Sequence, residues 1–585
     1  MTYGLAAFLI ALMLGVLCYN LGVQLGNQPS PQPHPQPTPQ PLPQSLKTFS
    51  SYQELLNFII KNVKVGVYPF YGPADLRILE ALGPTPVYKD VEYSTTNVQV
   101  VGVDEADIVK TDGEYIYTIV NNGVYILKAY PPEVATLISR ISFDNNTYPA
   151  GLFISSDGSR LAVLGSKYSS PPCAYNYRYY IIDGKTFVYV YDTSDKANPI
   201  LIREFAITGS YFNSRMIGDY VYAVISQPVY VIYDKVILPQ IYLKDETKEI
   251  EATKIYYSNV SEDYYTFTTV IALNMLNEDE EPYTLTIMMG GTSNLYVSLN
   301  NIYITFHSFD EQTTIYRIRI ENRTMNWEAT GSVPGYEINQ FSMDEYNNYF
   351  RIATMKWVDG TIQNNLYILD INLTIVGNIT NIALGETLDS ARFIGTRCYL
   401  TTSVRRIDPF FVIDVANPYE PKILGSLKIP GFTRYLHPYD ETRLIGIGRD
   451  ENNKVQILLF DVNNVSNPIA VGNFTAPGEY SDTQILSEHK AFLFDKAKEL
   501  LVIPLSIYDH SKNFWQGVYV FNTTNGRLLL EGGITHVESG ATSWDYAYWV
   551  KRALYIGDML YTLSDKKLKI NWLENLSPKR EIIFP

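Results

Sequence analysis

Basic charge, cysteine and histidine are all scarce in this chain. It has 585 residues, with 46 basic against 61 acidic side chains and a formal net charge of −15. A nucleic-acid-binding protein needs a basic surface to displace counterions from phosphates, so we expect no nucleic-acid partner. Three cysteines cannot form a disulfide scaffold. The six histidines are scattered and show no metal-ligand spacing.

Short catalytic motifs are also missing. The chain has no GxSxG elbow, no HExxH helix, no phosphate-binding P-loop and no EF-hand loop. The catalytic residues, if there are any, therefore stay unknown. We predict that no cofactor is required, and enzymatic activity stays open, with a non-enzyme favoured.

Charge is absent from the N-terminus. No Asp, Glu, Lys or Arg precedes Lys47, and the apolar run from Leu5 to Cys18 extends to Leu25. A cleaved signal would show a basic start and a small-residue cleavage site, and neither is clear. Residues 1–26 are therefore predicted to be an uncleaved transmembrane signal-anchor. The alternative is a cleaved signal and a secreted protein.

A proline-rich linker follows at residues 27–45. Every second residue from Pro29 to Pro43 is proline, a composition that favours extended polyproline II. At ~3.1 Å per residue, this run spans roughly 45 Å and would form a stalk. Residues 46–92 then predict a short helical preamble, with apolar spacing from Tyr52 to Ile60 and from Ala74 to Leu82.

One local pattern repeats from Asp112 onwards: an apolar run, a polar turn, and then alternating aromatic and β-branched residues. The base period is about 45–48 residues, with a few insertions. Such a period with four short strands per unit indicates an all-β fold, a β-propeller of eight or nine four-stranded blades over residues 93–585. The turns fall at Asp112-Gly113, Asp157-Gly158, Gly218-Asp219, Asn300-Asn301, Asn347-Asn348, Gly395-Thr396, Asp440, Asp495-Lys496 and Gly557-Asp558.

Three units share a second feature. A strand ends in Asp192, Asp414 or Asp461, and an Asn-Pro turn follows. Asp and Asn side chains can accept hydrogen bonds from nearby turn N–H groups. We therefore predict that these carboxylates stabilise turns.

The two ends of the repeat region resemble a known family. The segment TTNVQVVGVDEADIVKTDGEYIYTI from Thr95 resembles the opening signature of secreted or surface proteins with a C-terminal β-propeller domain. The segment KRALYIGDMLYTLSDKKLKI from Lys551 is similar to the closing signature, and the blades resemble LVIVD-type surface repeats. The resemblance implies an extracytoplasmic propeller and carries over no catalytic residue.

The densest acidic cluster is VDEADIVKTDG, with Asp104, Glu105, Asp107 and Asp112. Ca²⁺ needs several oxygen ligands that converge. Strand alternation would place Glu105 and Asp107 on one side and Asp104 on the other. Glu105, Asp107 and Asp112 are therefore candidate ligands for a possible Ca²⁺ ion at the ring mouth. The alternative is polar capping where the ring closes.

Two neighbouring units carry insertions, at about residues 166–185 and 227–266, on the face formed by the loops between second and third strands. Tyrosines on loops offer contact area at low entropic cost. They either bind a partner or pack the loops onto the propeller. The candidate binding residues are Tyr175, Tyr177, Tyr179, Tyr180, Tyr256 and Tyr257.

These features together favour a membrane-anchored, extracellular binding or scaffold module for a cell-surface protein or glycan. One alternative is a cell-envelope glycan hydrolase or lyase using paired carboxylates at the propeller mouth. A lattice or adhesion protein fits the stalk equally well. Export would permit N-glycosylation, and the candidate sites are Asn145, Asn259, Asn322, Asn372, Asn378, Asn464, Asn473 and Asn522.

Overall fold

The computed structural model describes residues 47–62, 91–169, 184–244, 246–258, 264–308, 310–404, 407–509, 514–538 and 543–585. The predicted signal-anchor and the proline-rich stalk lie outside these residues, as does the predicted helix from Ala74 to Leu82. The other preamble helix is confirmed at Tyr52–Asn62. Within the described ranges, no helix has both the length and the apolar character needed to cross a membrane.

The described residues form nine sheets of four or more strands, which confirms the β-propeller. Nine is the larger of the two blade numbers that the repeat allowed. Sheets 1 to 3 contain Val109–Thr111, Tyr115–Val120, Gly123–Lys128 and Thr136–Ser142; Thr147–Ile154, Arg160–Lys167, Lys185–Asp192 and Ile200–Thr208; and Ser210–Ile217, Tyr220–Pro228, Thr266–Asn274 and Tyr283–Met289. Sheets 4 to 6 contain Asn294–Val297, Asn301–His307, Gln312–Glu321 and Thr324–Pro334; Met343–Tyr346, Tyr349–Val358, Thr361–Leu369 and Ile375–Ile382; and Thr387–Ile394, Arg397–Ser403, Ile407–Asp414 and Lys422–Pro430.

Sheets 7 to 9 complete the set, and the first strand of sheet 8 is split in two. They contain Phe432–Pro438, Arg443–Arg449, Val455–Asp461 and Ile469–Thr475; Tyr480–Asp482 with Leu493–Asp495, Leu500–Tyr508, Phe514–Asn522 and Leu529–Thr535; and Arg552–Ile556, Met559–Leu563, Lys567–Trp572 and Pro578–Ile583. Two 3-10 turns, Gln484–Leu486 and His489–Ala491, fill the gap in that split strand.

Each of the nine predicted turns joins the first and second strands of one sheet. Local chemistry explains the sharpness of these turns. Asn347 and Asn348 both have positive φ, which suits a two-residue hairpin and which asparagine tolerates. The predicted turn carboxylates are also confirmed: Asp192, Asp414 and Asp461 accept backbone N–H bonds of 2.8, 3.0 and 2.9 Å from the residue two positions later.

Clusters of buried apolar side chains lie between neighbouring sheets all the way round. Leu152 lies in the cluster between sheets 1 and 2, and Ile413 in the one between sheets 5 and 6. Sheets 9 and 1 share a cluster that includes Ile556 and Ile116, so the last sheet packs directly against the first. Apolar burial therefore closes the ring, and every sheet has two packed neighbours.

The insertion of sheet 3 wraps around the outer edges of sheets 2 and 3. Gln240–Leu243 and Thr247–Glu249 extend sheet 2 beyond its fourth strand, and Ile255–Tyr257 pairs with the fourth strand of sheet 3. Lys47–Thr48 then pairs with Ile255–Tyr257. The helix Tyr52–Asn62 buries Leu55, Leu56 and Ile59 in the cluster between sheets 2 and 3. A two-stranded hairpin, Val231–Ile232 with Lys235–Val236, completes the insertion.

Candidate functional site

The segment from Tyr93 to Asp107 runs across the centre of the ring. Ser94 bonds to the backbone of Tyr555 in sheet 9, and the Asn97 amide donates to Tyr435 of sheet 7 and to the carbonyl of His489 in sheet 8. Its other contacts reach the inner strands of sheets 2, 3 and 5, at Leu152, Arg215, Met216 and Met343. The segment therefore fills the channel instead of leaving it open, and we call it the central segment.

Buried ion pairs hold the central segment in place. Asp107 accepts bonds of 3.0 Å from Nε and Nη2 of Arg552, whose side chain is 5% exposed. Glu105 lies 3.6 Å from Nη2 of Arg215 and 3.7 Å from Nε2 of His489. Burial raises the pKa of Glu105, with Arg215 and Lys490 opposing. Burial and the nearby cations hold the pKa of His489 well below its usual range, so its imidazole is neutral.

The three candidate calcium ligands do not converge. Glu105 faces Arg215, Asp107 binds Arg552, and Asp112 accepts bonds from the backbone N–H groups of its own turn and from Tyr117 Oη. In the part of the chain that the structure describes, no three His, Cys, Asp or Glu side chains are grouped to hold a metal. This geometry matches the alternative of polar capping at the ring closure.

The two candidate binding tyrosines that the structure describes, Tyr256 and Tyr257, pack against other aromatic rings of the protein. Tyr257 is buried and stacks on Phe49 at 3.9 Å between ring centroids, and Tyr256 packs edge-on against Trp327 at 6.0 Å. Tyr257 therefore packs the insertion against Phe49 in the cluster between sheets 2 and 3, and Tyr256 packs it against the cluster between sheets 3 and 4. The other four candidates, Tyr175, Tyr177, Tyr179 and Tyr180, lie outside the described residues, as do Asn259 and Cys173. Cys398 is a buried free thiol in sheet 6.

An unbroken row of aromatic rings lies on the side of the ring where second and third strands are joined, at sheets 8 and 9. We call this row the aromatic ribbon; its members are Tyr480, Tyr508, Phe514, Trp549, Tyr546 and Trp544. Successive ring centroids are 5.7, 5.1, 5.7, 4.8 and 6.3 Å apart. Trp544 is 77% exposed, Tyr546 52% and Tyr480 38%. Exposed apolar side chains that lie next to one another are costly to leave in water, so the ribbon is a candidate contact surface.

Local hydrogen bonds position the ribbon. Gln516 lies in the third strand of sheet 8, and its amide forms two reciprocal bonds with the backbone of Val550, at 3.1 and 2.8 Å. These bonds tie the connection before sheet 9 to sheet 8. The 3-10 turn Tyr546–Tyr548 ends with the N–H of Trp549 donating to the carbonyl of Tyr546. Trp549 is thereby held with its indole against Phe514.

A polar cavity of about 270 Å³ adjoins the ribbon at Trp549. Its wall is contributed by the first two strands of sheet 7, by sheet 8 and by the chain entering sheet 9. Arg449 on this wall pairs with Asp482 at 2.5 Å and donates 2.7 Å to the carbonyl of Ser481. Arg434 is exposed and also lines the cavity. The Nε1 of Trp549 and the Oε1 of Gln484 are buried and have no hydrogen-bond partner among the described residues.

Asp389 lies beside Arg434, on the first strand of sheet 6. Burial raises the pKa of Asp389 to about 6, against the opposing effects of a Ser403 hydrogen bond and the Arg434 charge. Glu386 lies nearby and adds to the rise. At neutral pH this carboxylate is largely ionised, and in mild acid it becomes neutral.

A larger groove of about 560 Å³ opens on the opposite side of the ring, around sheet 4. Its charged groups largely satisfy one another. Arg317 binds Asn301 at 3.0 Å and Glu328 at 2.8 Å, while Glu345 accepts from Ser298 at 2.7 Å. This groove lacks the exposed aromatic surface that the ribbon provides.

Reasoning from the sequence missed the ribbon. Its residues come from three separate stretches of chain, around positions 480, 508–514 and 544–549. The closing of sheet 8 against sheet 9 brings them together. One local feature of the sequence could have indicated it. Trp544, Tyr546, Tyr548 and Trp549 lie within six residues in a connecting segment, where aromatic side chains are not needed to form a strand.

Comparisons with known proteins agree with this architecture. A family model described as a β-propeller domain matches residues 93–576. An uncharacterized protein of Archaeoglobus fulgidus is 27% identical, with 90% of this chain and 92% of that protein covered. An uncharacterized protein of Methanocaldococcus jannaschii is also 27% identical, over 89% of this chain and 90% of that one.

Solved structures also align with the chain. The apo form of AztD from Citrobacter koseri aligns with 83% of this chain and 94% of its own length, at 11% identity and a TM-score of 0.38. The matched family model covers most of the chain, from the central segment into sheet 9. The chain therefore belongs to the β-propeller domain family.

Proposed function

We propose that this protein is a membrane-anchored, outward-facing binding module that recognises glycans through the aromatic ribbon and the polar cavity beside it. The observation that carries the proposal is a row of six aromatic rings, three of them exposed and three half-buried, that adjoins a polar cavity at Trp549. Because the central segment fills the channel, a ligand has to bind on a face of the ring. This proposal is for binding alone and assigns no pair of catalytic carboxylates. The alternative of a cell-envelope glycan hydrolase or lyase stays a prediction.

The chemistry of sugars matches such a surface. A sugar ring has apolar C–H faces that can lie against Trp and Tyr rings, and hydroxyl groups on its rim that need hydrogen-bond partners. Trp and Tyr supply large, rigid contact area at low entropic cost. Thr483, Ser487 and Ser506 line the cavity. The hydroxyl groups of Thr483 and Ser487 donate to backbone carbonyls, and their oxygens can still accept a bond from a sugar hydroxyl. A glycan chain would lie along the ribbon and place one residue in the cavity.

The binding experiment uses the whole protein on a glycan array, followed by titration of the best ligand. The double variant Trp544→Ser with Tyr546→Ser should lose about thirtyfold or more in affinity, since an aromatic anchor contributes ~2 kcal/mol or more. Trp357→Ser is the matched control, because Trp357 is also exposed but lies on sheet 5. Equal binding by the double variant and the control would remove the ribbon from the site.

Export and anchoring are part of the same proposal. The apolar N-terminus and the proline stalk support an extracellular propeller held at the cell membrane; a secreted form is the alternative. Six of the candidate glycosylation asparagines are exposed, as an acceptor must be, and Asn522 is half-buried; the six are Asn145, Asn322, Asn372, Asn378, Asn464 and Asn473.

Topology has its own experiment. Protease added to intact cells should release a soluble propeller by cutting near the stalk. Complete protection in intact cells, with cleavage only after lysis, would contradict an outward orientation.

A further inference from the structure

We propose that the recognised glycan is an acidic one, and that Arg434 binds its anionic group in the cavity beside the aromatic ribbon. This inference rests on the proposed glycan-binding function. It specifies the ligand more narrowly, as a sugar residue that carries a carboxylate or a sulfate.

The first argument is charge balance in the cavity wall. Arg449 is neutralised by Asp482 at 2.5 Å and gives its other donors to backbone carbonyls. Arg434 is different: within the described part of the chain, no carboxylate oxygen lies within 4.0 Å of its guanidinium. Its charge lowers the pKa of the nearby Asp389 without forming an ion pair, and its guanidinium lies 5.4 Å from the ring centroid of Phe432. The wall therefore presents one guanidinium whose fork of donors is open to a ligand.

The second argument is the kind of hydrogen-bonding group that is left open. The indole Nε1 of Trp549 can only donate, and it is buried without a partner in the described residues. A guanidinium also only donates. Both groups therefore call for acceptor atoms, and a carboxylate or sulfate offers several in a small volume. The Oε1 of Gln484, also buried without a partner in the described residues, accepts instead, and a hydroxyl of the same sugar residue can donate to it. A purely hydroxylated sugar offers weaker acceptors.

The third argument is size and access. A cavity of about 270 Å³ is below the roughly 300–1,000 Å³ of drug-sized pockets, so it suits a single sugar residue. Arg434 lies on the innermost strand of sheet 7, on one wall of the cavity, and Trp549 belongs to both the cavity and the ribbon. A chain stacked on the ribbon can therefore place one charged residue against Arg434.

The test compares oligogalacturonate with its methyl ester, which keeps the same sugars and removes the charge. The intact protein should bind the acid at least tenfold more tightly than the ester at low salt, and this preference should shrink as salt is added. Arg434→Gln should lose at least tenfold on the acid while binding the ester as the unaltered protein does. Arg319→Gln is the control, because Arg319 is exposed in the groove on the opposite side.

A sulfated galactan is tested as a third ligand. If it binds and Arg434→Gln weakens that binding, the recognised anion is a sulfate and the inference is supported. Equal affinity for acid and ester, or unchanged acid binding by Arg434→Gln, would overturn it. In that case ribbon-dependent binding of the ester would leave the proposed function standing. If none of these oligosaccharides nor any array glycan binds, the proposed function itself fails.

Discussion

Asp389 shows how a single buried carboxyl makes the stability of this protein depend on pH. Its folded-state pKa is raised to about 6 by burial, while an unfolded Asp titrates near 4. The folded protein therefore binds a proton more tightly than the unfolded chain. The stabilisation of the folded state by this protonated carboxyl is complete below pH 4 and is lost as pH rises through about 6.

Asp389→Asn should remove this dependence. At pH 7.5 the variant should be more stable than the unaltered protein by ~1–3 kcal/mol, since each pKa unit corresponds to ~1.4 kcal/mol. At pH 4 the two should unfold at the same urea concentration. Asp359→Asn is the control, because Asp359 is exposed in a hairpin turn. If the two proteins differ in stability by the same amount at both pH values, burial does not raise the pKa of Asp389.

Turn chemistry was predictable at the residue scale because it is local. Asp192, Asp414 and Asp461 bond to N–H groups two residues away, and no distant part of the chain takes part. Roles that depend on distant partners were not predictable. Glu105 and Asp107 look like a metal site in the sequence, yet Arg215 and Arg552 reach them from more than 100 positions away.

At the scale of elements, buried lysine side chains hold the central segment in place through hydrogen bonds. Lys110, just after it, donates to Thr96, Asp104 and the carbonyl of Glu105, each at 2.7 Å. Lys490 donates to the carbonyl of Ala106 at 2.9 Å. These bonds satisfy backbone groups that would otherwise be buried without partners, so the segment is an integral part of the ring.

Asp107→Ala should therefore destabilise the protein by ~3–5 kcal/mol, because it leaves the Arg552 charge buried and deprived of its closest partner. The double variant Asp107→Leu with Arg552→Met should recover most of this loss, since apolar groups of similar size need no partner. Urea unfolding of the single and double variants measures the coupling. If the losses simply add, the two residues do not act as a pair.

At the scale of the whole molecule, the blade period was readable from the sequence because turns and alternating strands repeat it. The choice between eight and nine blades was not, since it depends on whether the first and last units share one sheet. The structure keeps them apart, with Val109–Thr111 in sheet 1 and Arg552–Ile556 in sheet 9. The ribbon follows from the same arrangement, because it spans the boundary between sheets 8 and 9.

A ring closed in this way should unfold as one unit, whichever boundary between sheets is weakened. Leu568 is fully buried between sheets 9 and 1, and Leu369 is fully buried between sheets 4 and 5. Replacing either by Ala removes a similar apolar contact and leaves a cavity, which costs ~2–5 kcal/mol. In a closed ring the two losses should be alike. In an open row of sheets, the terminal sheets would loosen alone and Leu568→Ala would cost little globally.

Calorimetry should therefore show a single transition for both variants, with similar falls in melting temperature. Amide exchange should rise to the same extent in sheets 1, 5 and 9, because local opening at the closure would require the buried contacts of Ile556 and Ile116 to separate first. Leu384→Ala, at an exposed position in the connection between sheets 5 and 6, serves as the control and should leave both measurements unchanged. A separate early transition confined to sheets 1 and 9 in Leu568→Ala would show that the closure is weaker than the other boundaries.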